Sequence, residues 1–178
     1  MKLDKAKILE AALAILDEQG LEKLSVRAVA RHLDVEAMSL YWYFQNKDEL
    51  VREMASHFYG KAYIRVDARL PWTEWLMAFG RALQNALSSH RDAARLCAFS
   101  QPDPGNLQNM DDLSAPLVKA GLSKNDALTY EACVISFVLG WTIFDQNEAY
   151  RNRLESQFAF QASFEVGLKA LIDGLGAR

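Results

Sequence analysis

Arg27, Ser39, Tyr41, Trp42, Tyr43 and Lys47 all fall within residues 25–50, SVRAVARHLDVEAMSLYWYFQNKDEL, and the chemistry they offer is contact with nucleic acid. A guanidinium such as that of Arg27 can take guanine O6 and N7 in a fork, the commonest specific contact to a base. The hydroxyls of Ser39 and Tyr41 and the ammonium of Lys47 suit phosphate oxygens, which set register rather than sequence. Groups of catalytic type are scattered instead. His32, His57 and His90 lie far apart in the chain, and no nucleophile-elbow or metal-helix motif accompanies them, so a helical enzyme is not supported. Cys97 and Cys133 are isolated, without the spacing of a zinc site or a disulfide framework.

The elements that must position these side chains are legible from caps and periodicity. Ser25 is a natural N-cap, because its hydroxyl can accept from an otherwise unpaired first-turn amide. Val29, Ala30 and Leu33 then share one helical face, with Arg27 and Arg31 on others. Asp34-Val35-Glu36 interrupts the pattern, and Ala37 to Phe44 resumes it with Leu40 and Phe44 one turn apart. Asn46 begins another helix, with Glu49 three residues on to close a capping box. Two helices joined by so short a turn predict a helix-turn-helix, whose second helix can enter a major groove.

The run Leu40-Tyr41-Trp42-Tyr43-Phe44, followed by Lys47 and Leu50, resembles the L-Y-x-[HY]-F-x-x-K-x-x-L pattern of the TetR family of bacterial repressors. Ile8-Leu9-Glu10-Ala11-Ala12 to Gly20 is similar to the family's first helix, and a looser likeness continues through Ser89-His90-Arg91-Asp92 and Leu139-Gly140 to Asp145-Gln146. The resemblance implies double-stranded operator DNA as a partner. It places Arg27, Ala37, Met38, Ser39, Trp42 and Tyr43 toward bases, with Ser39, Tyr41 and Lys47 better set for phosphates. Ala37 and Met38 offer only apolar surface, suited to a thymine methyl. Asp34 stands where the family often has glycine, and Asp tolerates a left-handed backbone better than most side chains.

Composition tempers the electrostatics. The net charge is −3, and the segment to Glu53 carries eight Lys and Arg against ten Asp and Glu. Random DNA should therefore be bound weakly, since phosphate contacts dominate non-specific affinity. Lys5, Lys7, Arg27 and Lys47 are expected to fringe one face. No N-terminal apolar segment follows a basic start, and the longest apolar run, Ala132–Phe144, is short for a membrane span. A reducing cytoplasm and no membrane partner are expected.

An all-α fold is predicted, with no strand alternation. Residues 1–46 should form a three-helix DNA-binding domain, with helix 1 from about Asp4 to Gln19 presenting Ile8, Leu9, Ala12, Leu13 and Leu16 inward. Residues 47–178 should form a larger effector-binding and dimerisation domain. Its first helix, from Lys47 to about Ala62, connects the two. Pro71 opens a helix with a Trp75, Leu76, Phe79, Leu83 and Leu87 stripe, and a short helix covers Asp92–Phe99. Gln101-Pro102-Asp103-Pro104-Gly105 breaks the chain, and a helix with a Pro116 kink follows. Ser123 caps the next, running to about Glu148; Arg151–Ser156 reads as a polar connection, and a last helix carries Phe160, Phe164, Leu168, Leu171, Ile172 and Leu175.

The same resemblance implies a small-molecule effector enclosed by Phe58, Tyr63, Phe79, Leu83, Cys97, Phe99, Met110, Leu113, Phe137, Trp141 and Phe144. In members that take a drug–magnesium chelate, the metal-side positions correspond to Cys97 and Phe144 and the drug-side ones to Tyr63 and Phe79. A thiol and a phenyl ring cannot supply the hard oxygen ligands magnesium needs. No metal or cofactor is therefore expected, and an apolar or aromatic effector is, with Tyr63 as its hydrogen-bonding group. The alternative is a filled core with no ligand. The family also implies a homodimer, for which the helix-8 face and a Phe164, Leu168, Leu171 and Leu175 stripe are the expected seam, with Gly140 and Gly167 allowing close approach.

Overall fold

The computed structural model describes residues 3–100 and 114–177, and among them every regular element is helical. Asp4 caps α1 (Lys5–Gln19) by accepting from the Lys7 amide at 2.9 Å. The inward face is Ile8, Ala11, Ala12, Ile15 and Leu16, while Leu9 and Leu13, expected inside, are half-buried. Gly20 ends the helix at φ 82° and ψ 170°, a backbone open to glycine. Ser25 caps α2 (Val26–His32), its Oγ accepting from Ala28 N at 3.1 Å. Asp34 sits in the turn at φ 53°, the left-handed conformation its side chain tolerates.

The next helix is shorter than its pattern. α3 spans only Ala37–Tyr41, because Tyr43 N bonds Leu40 O at 2.9 Å and tightens the last turn. Leu40 and Phe44 still anchor it in the core. Asn46 caps α4 (Lys47–Tyr63) by accepting from Glu49 N at 2.9 Å. The capping box closes one residue early: Glu49 Oε2 accepts from Gln45 N at 2.7 Å, not from Asn46.

α4 packs against α1 on one side and against α5 (Trp72–Ser88) and α6 (Ala93–Phe99) on the other. The α5 stripe is buried as its spacing requires, Pro71 serving as the cap residue. The helical residues 114–119 form the described part of α7, where Pro116 O accepts from Ala120 N at 3.0 Å; the Gln101–Gly105 breaker lies outside the described residues. Ser123 caps α8 (Lys124–Gln146). The polar segment after it is not a connection but a helix, α9 (Glu148–Glu155). It buries nothing and depends on its Asn147 cap, which accepts from Tyr150 N at 3.3 Å, so apolar periodicity could not reveal it.

α10 (Phe160–Gly176) corrects the expected dimer seam. Phe164, Leu168, Ile172 and Leu175 are buried within their own subunit, where Leu168 meets Gly80 of α5 and Phe164 meets Phe137 and Trp141 of α8. A Cβ on Gly167 would stand 2.8 Å from Phe137 Cζ, so that glycine serves packing inside one chain. Gly140 has nothing within 4 Å of its Cβ position. α8 is apolar nearly all round and, by length and composition, long enough to cross a membrane, yet only 33% of its most apolar stretch is buried.

Candidate nucleic-acid interface and interdomain cleft

The protruding part of the helix-turn-helix is a short apolar tip. Leu40 and Phe44 point inward, so the 3.6-residue period turns Met38 and Trp42 outward, 70% and 88% exposed. Arg27 of α2 is exposed and lines one shallow groove with Ala37 of α3, together with the carboxylates Asp34 and Glu36. The structure thus brings Arg27 and Ala37 to one groove and leaves Met38 and Trp42 exposed, with Ser39 half-buried.

Three other predicted contacts are drawn into the fold. Tyr43 donates its hydroxyl to Leu3 O at 2.9 Å, clamping the start of the chain. Lys47 Nζ donates to Leu21 O at 3.0 Å, tying the start of α4 to the α1–α2 turn. Tyr41 is half-buried against the core. Hydrogen bonds satisfied within the protein are positional, and these two tie the turn after α3 and the start of α4 to the two ends of α1. The expected basic fringe is thinner for the same reason: Lys5 pairs with Glu53 at 3.5 Å.

Among the described residues, the predicted effector residues fall into separate groups. Phe58, Phe79 and Leu83 are fully buried core. Phe79 stacks on Trp75 and meets Tyr63, with centroids 5.2 and 4.8 Å apart. Phe137 and Trp141 form a separate ring cluster with Phe160 and Phe164. Phe99 and Phe144 are 76% and 47% exposed. Met110 and Leu113 lie outside the described residues. Tyr63 Oη is the informative atom: it is buried with no hydrogen-bond partner among the described residues. Cys97 is buried, which pushes its thiol up to about 12 and keeps it protonated. With Phe144 beside it in the metal-side pattern, the pair does not fit magnesium.

The cleft of about 700 Å³ lies elsewhere, between the α5–α6 turn and the end of α8, lined by residues 88–92, Arg95, Ile143, Gln146 and Asn147. Its floor also docks the first three helices. His90 Nδ1 donates to Asp17 Oδ2 at 2.8 Å, a direction set by the carboxylate, which only accepts. Arg91 N donates to Asp17 Oδ1 at 2.9 Å, and Leu21 N donates to Asp92 Oδ2 at 3.0 Å. Asp92 makes that bond from a left-handed backbone, φ 56°. Gln146 Nε2 donates to Leu87 O and His90 O, at 3.0 and 2.7 Å, holding the turn against α8. Ser89–Asp92 and Asp145–Gln146 resemble the family's strings in sequence, and only the meeting of His90 and Gln146 across 56 residues reveals what they do.

A capped helix pair with an exposed second-helix tip, docked on a larger helical body, defines a helix-turn-helix regulator. Residues 8–54 match the family described as bacterial regulatory proteins, tetR family, and residues 68–161 match the tetracyclin repressor-like C-terminal domain. The tetracycline repressor protein class E of Escherichia coli is 31% identical, covering 99% of this chain and 92% of its own. BioQ of Mycobacterium smegmatis superimposes with a TM-score of 0.78 at 35% identity, covering 99% of both chains. A structure of BioQ with its natural double-stranded DNA operator gives 0.75 at 34%, covering 99% of this chain and 100% of that one. A variant of TetR from Acinetobacter baumannii AYE in complex with minocycline gives 0.79 at 29%, covering 99% and 98%. The chain belongs to the TetR family of bacterial transcriptional regulators.

Proposed function

We propose that the protein is a homodimeric repressor that binds double-stranded operator DNA through residues 1–46 and is released by a small apolar or aromatic effector taken up by residues 47–178. The observation that carries the DNA reading is the outward pair Met38 and Trp42, with an exposed Arg27 on the preceding helix, on a tip whose other side is locked into the core. BioQ, similar over its full length, has been solved on its operator. Met38, Ala37 and Trp42 meet thymine methyls and sugars, Arg27 takes a base edge, Ser39 takes a phosphate, and Tyr41, Tyr43 and Lys47 hold the helix in place.

Dimerisation uses the outer faces of α8 and α10. Val166 is 69% exposed, Gly140 and Gly174 have no neighbour within 4 Å of their Cβ positions, and much of apolar α8 is only partly buried. Such a face calls for a partner. A two-fold pair can then hold its recognition helices about 34–36 Å apart, the spacing of successive major grooves.

The effector reading rests on Tyr63. A buried hydroxyl without a partner costs about 1–3 kcal/mol, which a bound ligand carrying a hydrogen-bonding atom among the Trp75 and Phe79 rings recovers. The complete burial of Phe58, Phe79 and Leu83 favours the second reading, a filled core with no small-molecule ligand. The test is binding of the purified protein to DNA upstream of its own gene, with planar aromatic compounds added. Effector affinity measured with and without saturating operator must differ by the same factor as operator affinity with and without effector. Equal values support the filled core.

A further inference from the structure

The cleft between the α5–α6 turn and the end of α8 has the wrong chemistry for an apolar effector and the right chemistry for a small anion. At about 700 Å³ it falls in the size range of ligand pockets. Two guanidiniums on its wall, Arg91 and Arg95, share the single carboxylate of Asp92. Arg95 Nη1 reaches Oδ1 at 3.3 Å and Arg91 Nε stands 3.9 Å from Oδ2. Both contacts are long for charge-assisted bonds, and a guanidinium carries five donors, so most of this capacity remains unspent. Asp17 on the floor is a second carboxylate, but it is held by His90 Nδ1 and Arg91 N, so the two guanidinium forks keep only Asp92 as a side-chain partner. On the α8 side, Gln146 lines the cleft and has spent its amide N–H groups on Leu87 and His90. Its Oε1 is buried without a partner among the described residues, an acceptor that a ligand's O–H or N–H would satisfy after a small local shift opens it to the cleft.

We infer that this cleft is a second ligand site, for a small hydroxy- or amino-carboxylate, and that Asp92 couples it to the DNA-reading helices. The ligand carboxylate takes the forks of Arg91 and Arg95, and its hydroxyl or amino group donates to Gln146 Oε1. Asp92 then loses its cationic partners while it still accepts from Leu21 N at 3.0 Å, in the turn that Lys47 also holds. Occupancy therefore removes the cations from a side chain that, with Asp17, joins cleft and DNA-reading bundle. The coupling rests on the repressor reading; binding to the free protein does not, so the two are tested apart.

Malate is the probe, with succinate and sodium chloride at matched ionic strength as comparators, added to the full-length protein and followed by calorimetry. Saturable malate binding is expected, weaker with succinate, which lacks the hydroxyl. It should fall at least tenfold in Arg91→Gln/Arg95→Gln, whose two positions are solvent-exposed and whose folding circular dichroism verifies. Arg95→Lys keeps the charge, loses the fork and is expected to fall between. No saturable malate binding, or an unchanged constant in the double variant, overturns the site. Malate that binds but leaves operator affinity unaltered overturns the coupling.

Discussion

Tyr63→Phe separates stability from function at a single atom. The Tyr63 ring packs against Trp75 and Phe79, with centroids 5.5 and 4.8 Å away, and phenylalanine keeps both contacts. The hydroxyl is buried with no partner among the described residues, so in the free protein it contributes desolvation cost and no bond. Removing it should stabilise the fold by about 1–2 kcal/mol, the lower part of the range for an unsatisfied polar group. For a chain of this size that is about 2–8 °C in Tm. In urea the midpoint should rise with the slope unchanged, since the surface exposed on unfolding is the same. Protomer concentration must be matched, because a dimer's stability depends on it. The same substitution should weaken an effector that bonds the hydroxyl by about tenfold, or 1.4 kcal/mol. A midpoint that stays put or falls would refute the reasoning, because the hydroxyl would then already have a partner in the free protein.

Arg27→Ala should cost roughly 1–3 kcal/mol on the operator and relax preference at one base position, measured by binding to a set of single-base operator variants; unchanged specificity removes Arg27 from the reading set. Val166→Glu places a charge on the open face of α10 and should shift the protein toward monomer in sedimentation while leaving its helix content intact. Burial raises the Glu131 carboxyl to about 7 from an ordinary 4.5, so the folded state holds a proton that the unfolded chain releases between those values. Stability must therefore fall as pH rises from about 4.5 to 7, by ~3 kcal/mol for this group, and stay lower above. Glu131→Gln should flatten that slope and stabilise the protein at pH 8, read from urea midpoints across pH.

Local chemistry was legible in the chain because it acts over three or four residues. The caps at Ser25, Asn46 and Ser123, the positive φ at Asp34 and the Trp75–Leu87 stripe each follow from short-range hydrogen bonding or helical period, and all stand in the structure. The motif around Leu40–Phe44 carried the family for the same reason, since its anchors and its exposed tip are set by one helix's geometry. Which apolar face meets which neighbour was decided only by the tertiary fold. The Phe164–Leu175 stripe is equally apolar whether it faces a partner or its own core; the close fit of Leu168 on Gly80 and of Phe137 on Gly167 sends it inward and leaves Val166 outside. Lys47 and Tyr43 have the side chains of DNA contacts, and only the tertiary fold shows that they also donate to carbonyls at Leu21 and Leu3. The polar cleft is the extreme case. His90, Asp92 and Gln146 sit in strings that resemble the family's, yet nothing along the chain says what they or Asp17 bond, because a hydrogen bond needs two groups within about 3 Å in space and places no condition on their distance in sequence.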